Sequence, residues 1–267
     1  MRVMSESAES PCEAEGTPST RAAAGLRPPA GLVRADGARV DWSHWFLTDE
    51  DDVGESCEHG ETSRLLLSCL EMLARERGWA KRMIGGNQFF AWRADEPLVR
   101  VSPDLYVLED PPARPWPTMW QTWLPGHPPP LVAVEIVSRD WRKDYEDAPA
   151  KYWQLGCAEL VVFDPEAALG VAGAAERVPL QVYRRDTDGV YVRAECGAGP
   201  VSCLGIGAFL VSVRAGQSVR LRVARDANGL DLVPSVAEAL DSAAARAAAA
   251  EARVRDLEAR LRGDPDA

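Results

Sequence analysis

Leu131-Val132-Ala133-Val134-Glu135-Ile136-Val137 reads as a central β-strand with one residue out of place. A short apolar run bounded by turn residues suits a strand covered on both faces. A carboxylate in that setting is costly unless a cation or strong hydrogen-bond donors compensate it. Glu135 is therefore where the reading of both fold and function begins.

Downstream, Asp147 is placed to cap a short helix, with Pro149 in its first turn and Gly156 at its end. Glu159–Asp164 follows as a second buried strand, stopped by Pro165. Strand 131–137, helix 147–155 and strand 159–164 make a compact βαβ unit, whose strands should run parallel. Upstream, residues 109–130 carry eight prolines and three tryptophans. That composition predicts a long stiffened loop pinned to the surface by its indole rings. Before it, Val99–Leu108 reads as one strand that contains Pro103-Asp104. Lys81–Ile84 and Gln88–Trp92 read as strands joined by a Gly85-Gly86-Asn87 turn. Leu65, Leu66, Cys69, Leu70, Met72 and Leu73 recur at helical spacing, and Gly78 closes that helix. Four further strands are expected at Leu180–Arg184, Val190–Ala194, Ala208–Val213 and Val219–Val223. The expected class is α/β, an α+β mixed sheet with flanking helices, additional C-terminal strands and a C-terminal helix.

The ends differ from this middle. Residues 1–40 are rich in Ala, Gly, Pro, Ser and Glu without periodicity and read as disordered. Residues 41–228 hold the folded domain, opening on a short lead-in with the acidic run Asp49-Glu50-Asp51-Asp52. Residues 229–267 carry a helix from Ser235. Along it Val236, Leu240, Ala243, Ala247, Ala250, Val254, Leu257 and Leu261 step by four and three alternately. That is an amphipathic, coiled-coil-like heptad seam with an alanine centre, suited to its own domain or to a second chain. No apolar run approaches the ~18 residues needed to span a bilayer, and the N-terminus has no apolar signal core, so a cytoplasmic protein is expected. Six scattered cysteines without a CxxC pair read as reduced thiols, and three distant histidines form no zinc spacing. A net charge of -11 argues against a nonspecific nucleic-acid coat, while leaving room for a local basic patch or a metal-holding acidic site.

Two remedies for Glu135 are open. It can pair with an arginine, for which Arg100, Arg139 and Arg142 are candidates. Alternatively, Asp104 on a neighbouring strand converges with it, and a divalent cation relieves the repulsion. Magnesium suits such an all-oxygen site and keeps several of its waters. It can activate a water and neutralise a phosphoryl group.

A resemblance bears on that choice. Val101-Ser102-Pro103-Asp104-Leu105-Tyr106-Val107 resembles the Pro-Asp strand of the Uma-type endonuclease family. Val134-Glu135-Ile136-Val137-Ser138 followed by Asp144 resembles its second motif. Tyr152 to Gly156 with Glu159-Leu160-Val161-Val162-Phe163-Asp164-Pro165 resembles the third. Asp52-Val53-Gly54-Glu55-Ser56, Trp120 and Trp123 look like one branch of that family, and the likeness covers roughly residues 48–225. It implies a restriction-endonuclease-like, PD-(D/E)XK fold and Mg2+-dependent (or Mn2+-dependent) hydrolysis of DNA phosphodiester bonds. Carried over by position, Asp104 and Glu135 would be metal ligands with the Ile136 carbonyl as a third, while no lysine stands at the family's positions for the catalytic cation. The wider superfamily has a lysine two residues after the glutamate, where this chain has Val137. Family members often have one four residues before the tyrosine, where it has Ala148. Lys151 or Lys143 would have to substitute.

Glu55, Glu61 and Glu71 are possible supporting carboxylates, against a plainer role on a helix surface. Asp144 suits loop capping or the orientation of Lys151. His59 reads as a helix-start residue and Asp164 as a strand-ending turn. Three functions compete: a metal-dependent DNA endonuclease, a catalytically inactive nucleic-acid-binding relative, and a homodimeric assembly module built on the tail helix.

Overall fold

The computed structural model describes residues 41–48, 56–138, 140–261 and 263. The expected disordered head, the acidic run 49–52, Glu55 and Arg139 lie outside the described residues.

Helix α1 (Cys57–Arg77) begins where the Ser56 side chain accepts the His59 amide, 3.2 Å, and ends at Gly78 with φ 63°. A left-handed residue at that position costs glycine little, and this is why the helix stops there. Six strands form the main sheet: β1 (Arg82–Gly85), β4 (Leu105–Glu109), β6 (Val132–Ile136), β7 (Glu159–Phe163), β8 (Leu180–Arg185) and β9 (Tyr191–Gly197), in the order β1-β4-β6-β7-β8-β9. Only β6 and β7 run parallel within it, joined through α2 (Ala148–Leu155). The βαβ reading of residues 131–164 holds. Gly156 ends α2 in the left-handed region, φ 94°.

Alternation along β6 assigns the two faces. Val132, Val134 and Ile136 join a core with Leu66, Leu70 and Leu73 of α1 and with a three-stranded sheet, β10 (Val201–Cys203), β11 (Ala208–Ala215) and β12 (Ser218–Ala224). Ala133 and Val137 join a second core with Ala148, Tyr152 and Leu155 of α2. That core also takes Phe90, Val101 and Trp120 from a small sheet of β2 (Phe89–Ala91), β3 (Arg100–Val101) and β5 (Met119–Gln121). A buried Glu159 ties the first layer down: it accepts the Arg184 guanidinium at 2.7 Å and the Gly205 amide at 2.8 Å.

Four expectations are corrected. The strand Val99–Leu108 is two strands in different sheets, broken at Ser102-Pro103-Asp104. Pro103 has no amide to give a ladder. Its carbonyl instead accepts the Asn87 amide, 2.9 Å, from the Gly85-Gly86-Asn87 turn. A Cβ on Gly86 would sit 2.4 Å from the Asp104 carbonyl oxygen, so this close passage requires glycine. Asp147 makes no capping bond, because a π-helical turn over Lys143–Asp147 already precedes α2 and leaves no free helix start there. Residues 109–130 are not merely a surface loop: Trp120 is fully buried, stacked on Phe90 at 6.1 Å, and its indole N–H donates to Gln88 Oε1 at 2.8 Å. Finally, Cys57, Cys69, Cys157 and Cys203 are free thiols, but Cys196 is disulfide-bonded; sequence spacing alone could not reveal a spatial pairing.

Asp164 does end a strand, and it also caps α3 (Pro165–Leu169) through the Ala167 amide, 2.9 Å. The tail helix α4 runs Val236–Leu261. No helix among the described residues is long and apolar enough to cross a membrane.

Candidate functional site

Strands β4 and β6 pair antiparallel with Leu105 opposite Val134. Asp104, just ahead of β4, is thereby brought to the end of β6 beside Glu135 and Ile136, and Glu135 itself lies on the face covered by α2. The two carboxylates do sense each other, as their effect on Glu135 shows below.

Each is held by a donor. Asp104 Oδ2 accepts the Ile136 amide at 2.6 Å, and its Oδ1 accepts His59 Nε2 at 2.7 Å. Both side chains of this second pair are nearly enclosed, 11% exposed for Asp104 and 12% for His59. Glu135 Oε1 accepts the Tyr152 hydroxyl from α2 at 2.6 Å. Tyr152 is fully buried, and a buried phenol needs such an acceptor.

The electrostatics are those of a crowded acidic site. Burial lifts the Glu135 carboxyl well above the ordinary carboxylate range, and the charges of Asp104 and Asp144 push it the same way; the Tyr152 hydroxyl and Lys143 oppose them. Burial also raises Asp144 to about 6, opposed by Lys143 and by the Ser138 amide, with Asp104 and Asp140 adding to the rise. That amide donates to Asp144 Oδ2 at 3.3 Å, so Asp144 does cap the loop after β6. Burial pulls the Lys151 ammonium below its usual value, and Lys143 pushes it the same way. Asp147, Glu135 and Asp144 hold its proton on. Asp104, Glu135, Asp144, Lys143 and Lys151 thus form one electrostatic cluster at the end of β6 and the start of α2.

Other candidates fall elsewhere. Glu61 is paired with Arg220 of β12. Glu71 is exposed and lines a groove with Lys81 and Trp116 that none of the other candidates lines. Neither joins the cluster. Among the proposed arginine partners of Glu135, Arg100 donates to the Leu47 carbonyl, 2.7 Å, and lies over the Phe89 ring; Arg142 lies over Trp141. The sequence reading missed His59 and Tyr152 as site residues. The polar tip of Tyr152, on the inward face of a short helix, was the available signal.

The chain matches the model of the Uma2 family, described as "Putative restriction endonuclease", over residues 53–210. This chain belongs to the Uma2 family. Its mixed sheet with flanking helices is that of a restriction-endonuclease-like protein, as the resemblance implied. No curated protein matches the sequence. Families of this class generally use divalent metals.

The residues fit such an ion. Two carboxylates supply oxygen donors of the kind a hard cation takes, and their mutual repulsion is what a cation would relieve. Among the described residues no group of three or more His, Cys, Asp and Glu side chains is drawn together for metal binding. A site with two carboxylates and several waters does not require one.

Proposed function

We propose that this chain is a metal-dependent endonuclease that hydrolyses DNA phosphodiester bonds. The observation that carries the reading is Glu135: a carboxyl in a buried strand, beside Asp104, pushed up by burial and by two neighbouring carboxylates. A carboxyl so perturbed, close to a second carboxylate, is the kind of group that active sites use.

Asp104 and Glu135, with the Ile136 carbonyl, would hold Mg2+ or Mn2+. Such an ion, when bound, supplies an activated water and neutralises charge on the phosphoryl group. The chain's own residues do the rest. His59 and the Ile136 amide fix the two oxygens of Asp104, and Tyr152 fixes Glu135, so the ligands are pre-oriented. Lys151, whose proton Asp147, Glu135 and Asp144 hold on, would supply a positive charge toward the place where a scissile phosphate gathers negative charge. Lys143 adds a second, more exposed cation.

One observation favours a second reading, a nuclease fold kept as an inactive nucleic-acid-binding or assembly module. Val137 and Ala148, at the usual lysine positions, are both buried in the second core. We infer further that the protein is a homodimer joined through α4, whose apolar side chains Leu240, Val254, Leu257 and Leu261 are all exposed.

Calorimetric titration of Mg2+ and Mn2+ into the wild-type protein, Asp104→Ala and Glu135→Ala, followed by plasmid nicking, tests the main reading. Metal binding and nicking should both vanish in the two variants. Equal cutting by wild type and variants overturns it, and metal-independent DNA binding without cutting favours the inactive module.

A further inference from the structure

Helix α4 leaves the domain through a fixed first turn. The Ser235 hydroxyl accepts the Glu238 amide at 3.2 Å, and Glu238 accepts the Ser235 amide at 2.7 Å, a reciprocal capping box. Arg222 of β12 grips the same Glu238 with two bonds, 3.0 and 2.8 Å, and the Val236 amide donates to Ser68 of α1 at 2.9 Å. No residue of the helix is buried. Its 26 residues extend ~39 Å. Leu240, Val254, Leu257 and Leu261 are 65%, 53%, 49% and 88% exposed, lying on one seam with Ala243, Ala247 and Ala250.

The flanks of that seam carry information beyond its apolarity. With Leu240, Ala247, Val254 and Leu261 at heptad positions a, positions d are Val236, Ala243, Ala250 and Leu257. Positions g then include Arg246, Arg253 and Arg260, and positions e include Glu251 and Glu258. One flank is basic and the other acidic.

We propose that α4 pairs with α4 of a second copy of this chain, parallel and in register. This rests on the homodimer reading above and adds its orientation. In a parallel pair each g position faces the e position five residues further along the other helix. Arg246 meets Glu251 of the second copy and Arg253 meets Glu258, and two-fold symmetry doubles both pairs. In an antiparallel pair g faces g and e faces e, which sets arginine against arginine and glutamate against glutamate. The pattern thus selects one orientation and penalises the other. Competing contacts within one helix are weak: Glu251–Arg255 at 3.9 Å and Asp256–Arg260 at 3.4 Å, all well exposed. The alanine centre lets the helices approach closely but contributes little apolar area, so the flanking charges weigh heavily in the choice.

A parallel pair has a consequence for the domains. Both bodies sit at the N-terminal end of the coil, side by side about one axis. An antiparallel pair would hold them at opposite ends.

Sedimentation equilibrium of the full chain tests this, with far-UV circular dichroism confirming helix content. Arg246→Glu with Arg253→Glu should weaken the dimer ~10-fold or more, because attraction becomes repulsion at every flank contact of a parallel pair. Adding Glu251→Arg and Glu258→Arg should restore it and shows that the first variant was not merely misfolded. Ala243→Cys should cross-link through its seam position on oxidation, beyond any wild-type background, since position 243 meets its own copy only in the parallel register. A wild-type chain that is monomeric at every concentration overturns the homodimer reading itself. A dimer indifferent to the double reversal, or one that gives no cross-link at Ala243→Cys, overturns the parallel orientation and leaves the homodimer standing.

Discussion

In protein stripped of divalent ions, Asp144→Asn should make the domain more stable at pH 8 and leave it nearly unchanged at pH 4. Asp144 is 5% exposed, and its carboxyl is raised from 3.8 to about 6, mainly by burial. The folded chain therefore keeps a proton that the unfolded chain has lost. Between pH 3.8 and about 6 the native state binds more protons, so stability falls as pH rises through that window. Above it the loss is complete. A rise of that size corresponds to about 3 kcal/mol, an upper bound because Asp104, Asp140 and Lys143 all bear on the same group. Asparagine removes the charge yet keeps an oxygen for the Ser138 amide. For a chain of this size the gain is about 3–10 °C in Tm. Thermal melts with EDTA at pH 4, 6 and 8 measure it. Equal melting at pH 8, or a gap that widens toward pH 4, would refute the picture of an Asp144 carboxyl held above its ordinary range mainly by burial. Added Mn2+ should then stabilise the wild type more than the variant, since the ion relieves a repulsion the variant lacks.

Tyr152→Phe removes the hydroxyl that donates to Glu135 Oε1. It should weaken Mn2+ binding about 10-fold by calorimetry while costing about 1–2 kcal/mol in urea. Lys151→Ala should slow plasmid nicking about 100-fold without weakening metal binding. Trp120→Ala should cost about 3–5 kcal/mol in urea denaturation, because it empties the centre of the second core. A loss under 1 kcal/mol there would mean that residues 109–130 are dispensable packing.

The parts of the fold that were legible were those whose cause is local. The β6–α2–β7 unit follows from two apolar runs, a proline in the first helical turn and a terminal glycine, and α1 from its periodicity and Gly78. The break at Ser102–Asp104 was not legible. Its composition is that of a strand, and only the Asn87 amide reaching the Pro103 carbonyl shows where the ladder is lost. Three-residue β10 was missed because its run is too short to stand out. At the site the same division holds. Asp104 and Glu135 stood out because each carboxylate interrupts an apolar stretch. His59 lies 45 residues from Asp104, and Tyr152 lies 17 from Glu135. Tertiary packing alone joins them, and no spacing encodes it.

The proposed use of Lys151 in place of the usual lysine also has a geometric rationale. Ala148 and Lys151 are three residues apart on α2 and share one helix face. Side chains on a helix lean toward its N-terminus, so the long stem of Lys151 runs back over the turn that begins at Ala148. Ala148 is small and buried, so it takes up little room on that face. The pull of Glu135 and Asp144 on the Lys151 proton agrees with that direction. Val137 differs: two residues after Glu135 on the same face, it packs into the second core, where an ammonium would lack solvent. On the proposed reading, a lysine on the helix supplies the positive charge toward the carboxylates and lets the strand end stay apolar.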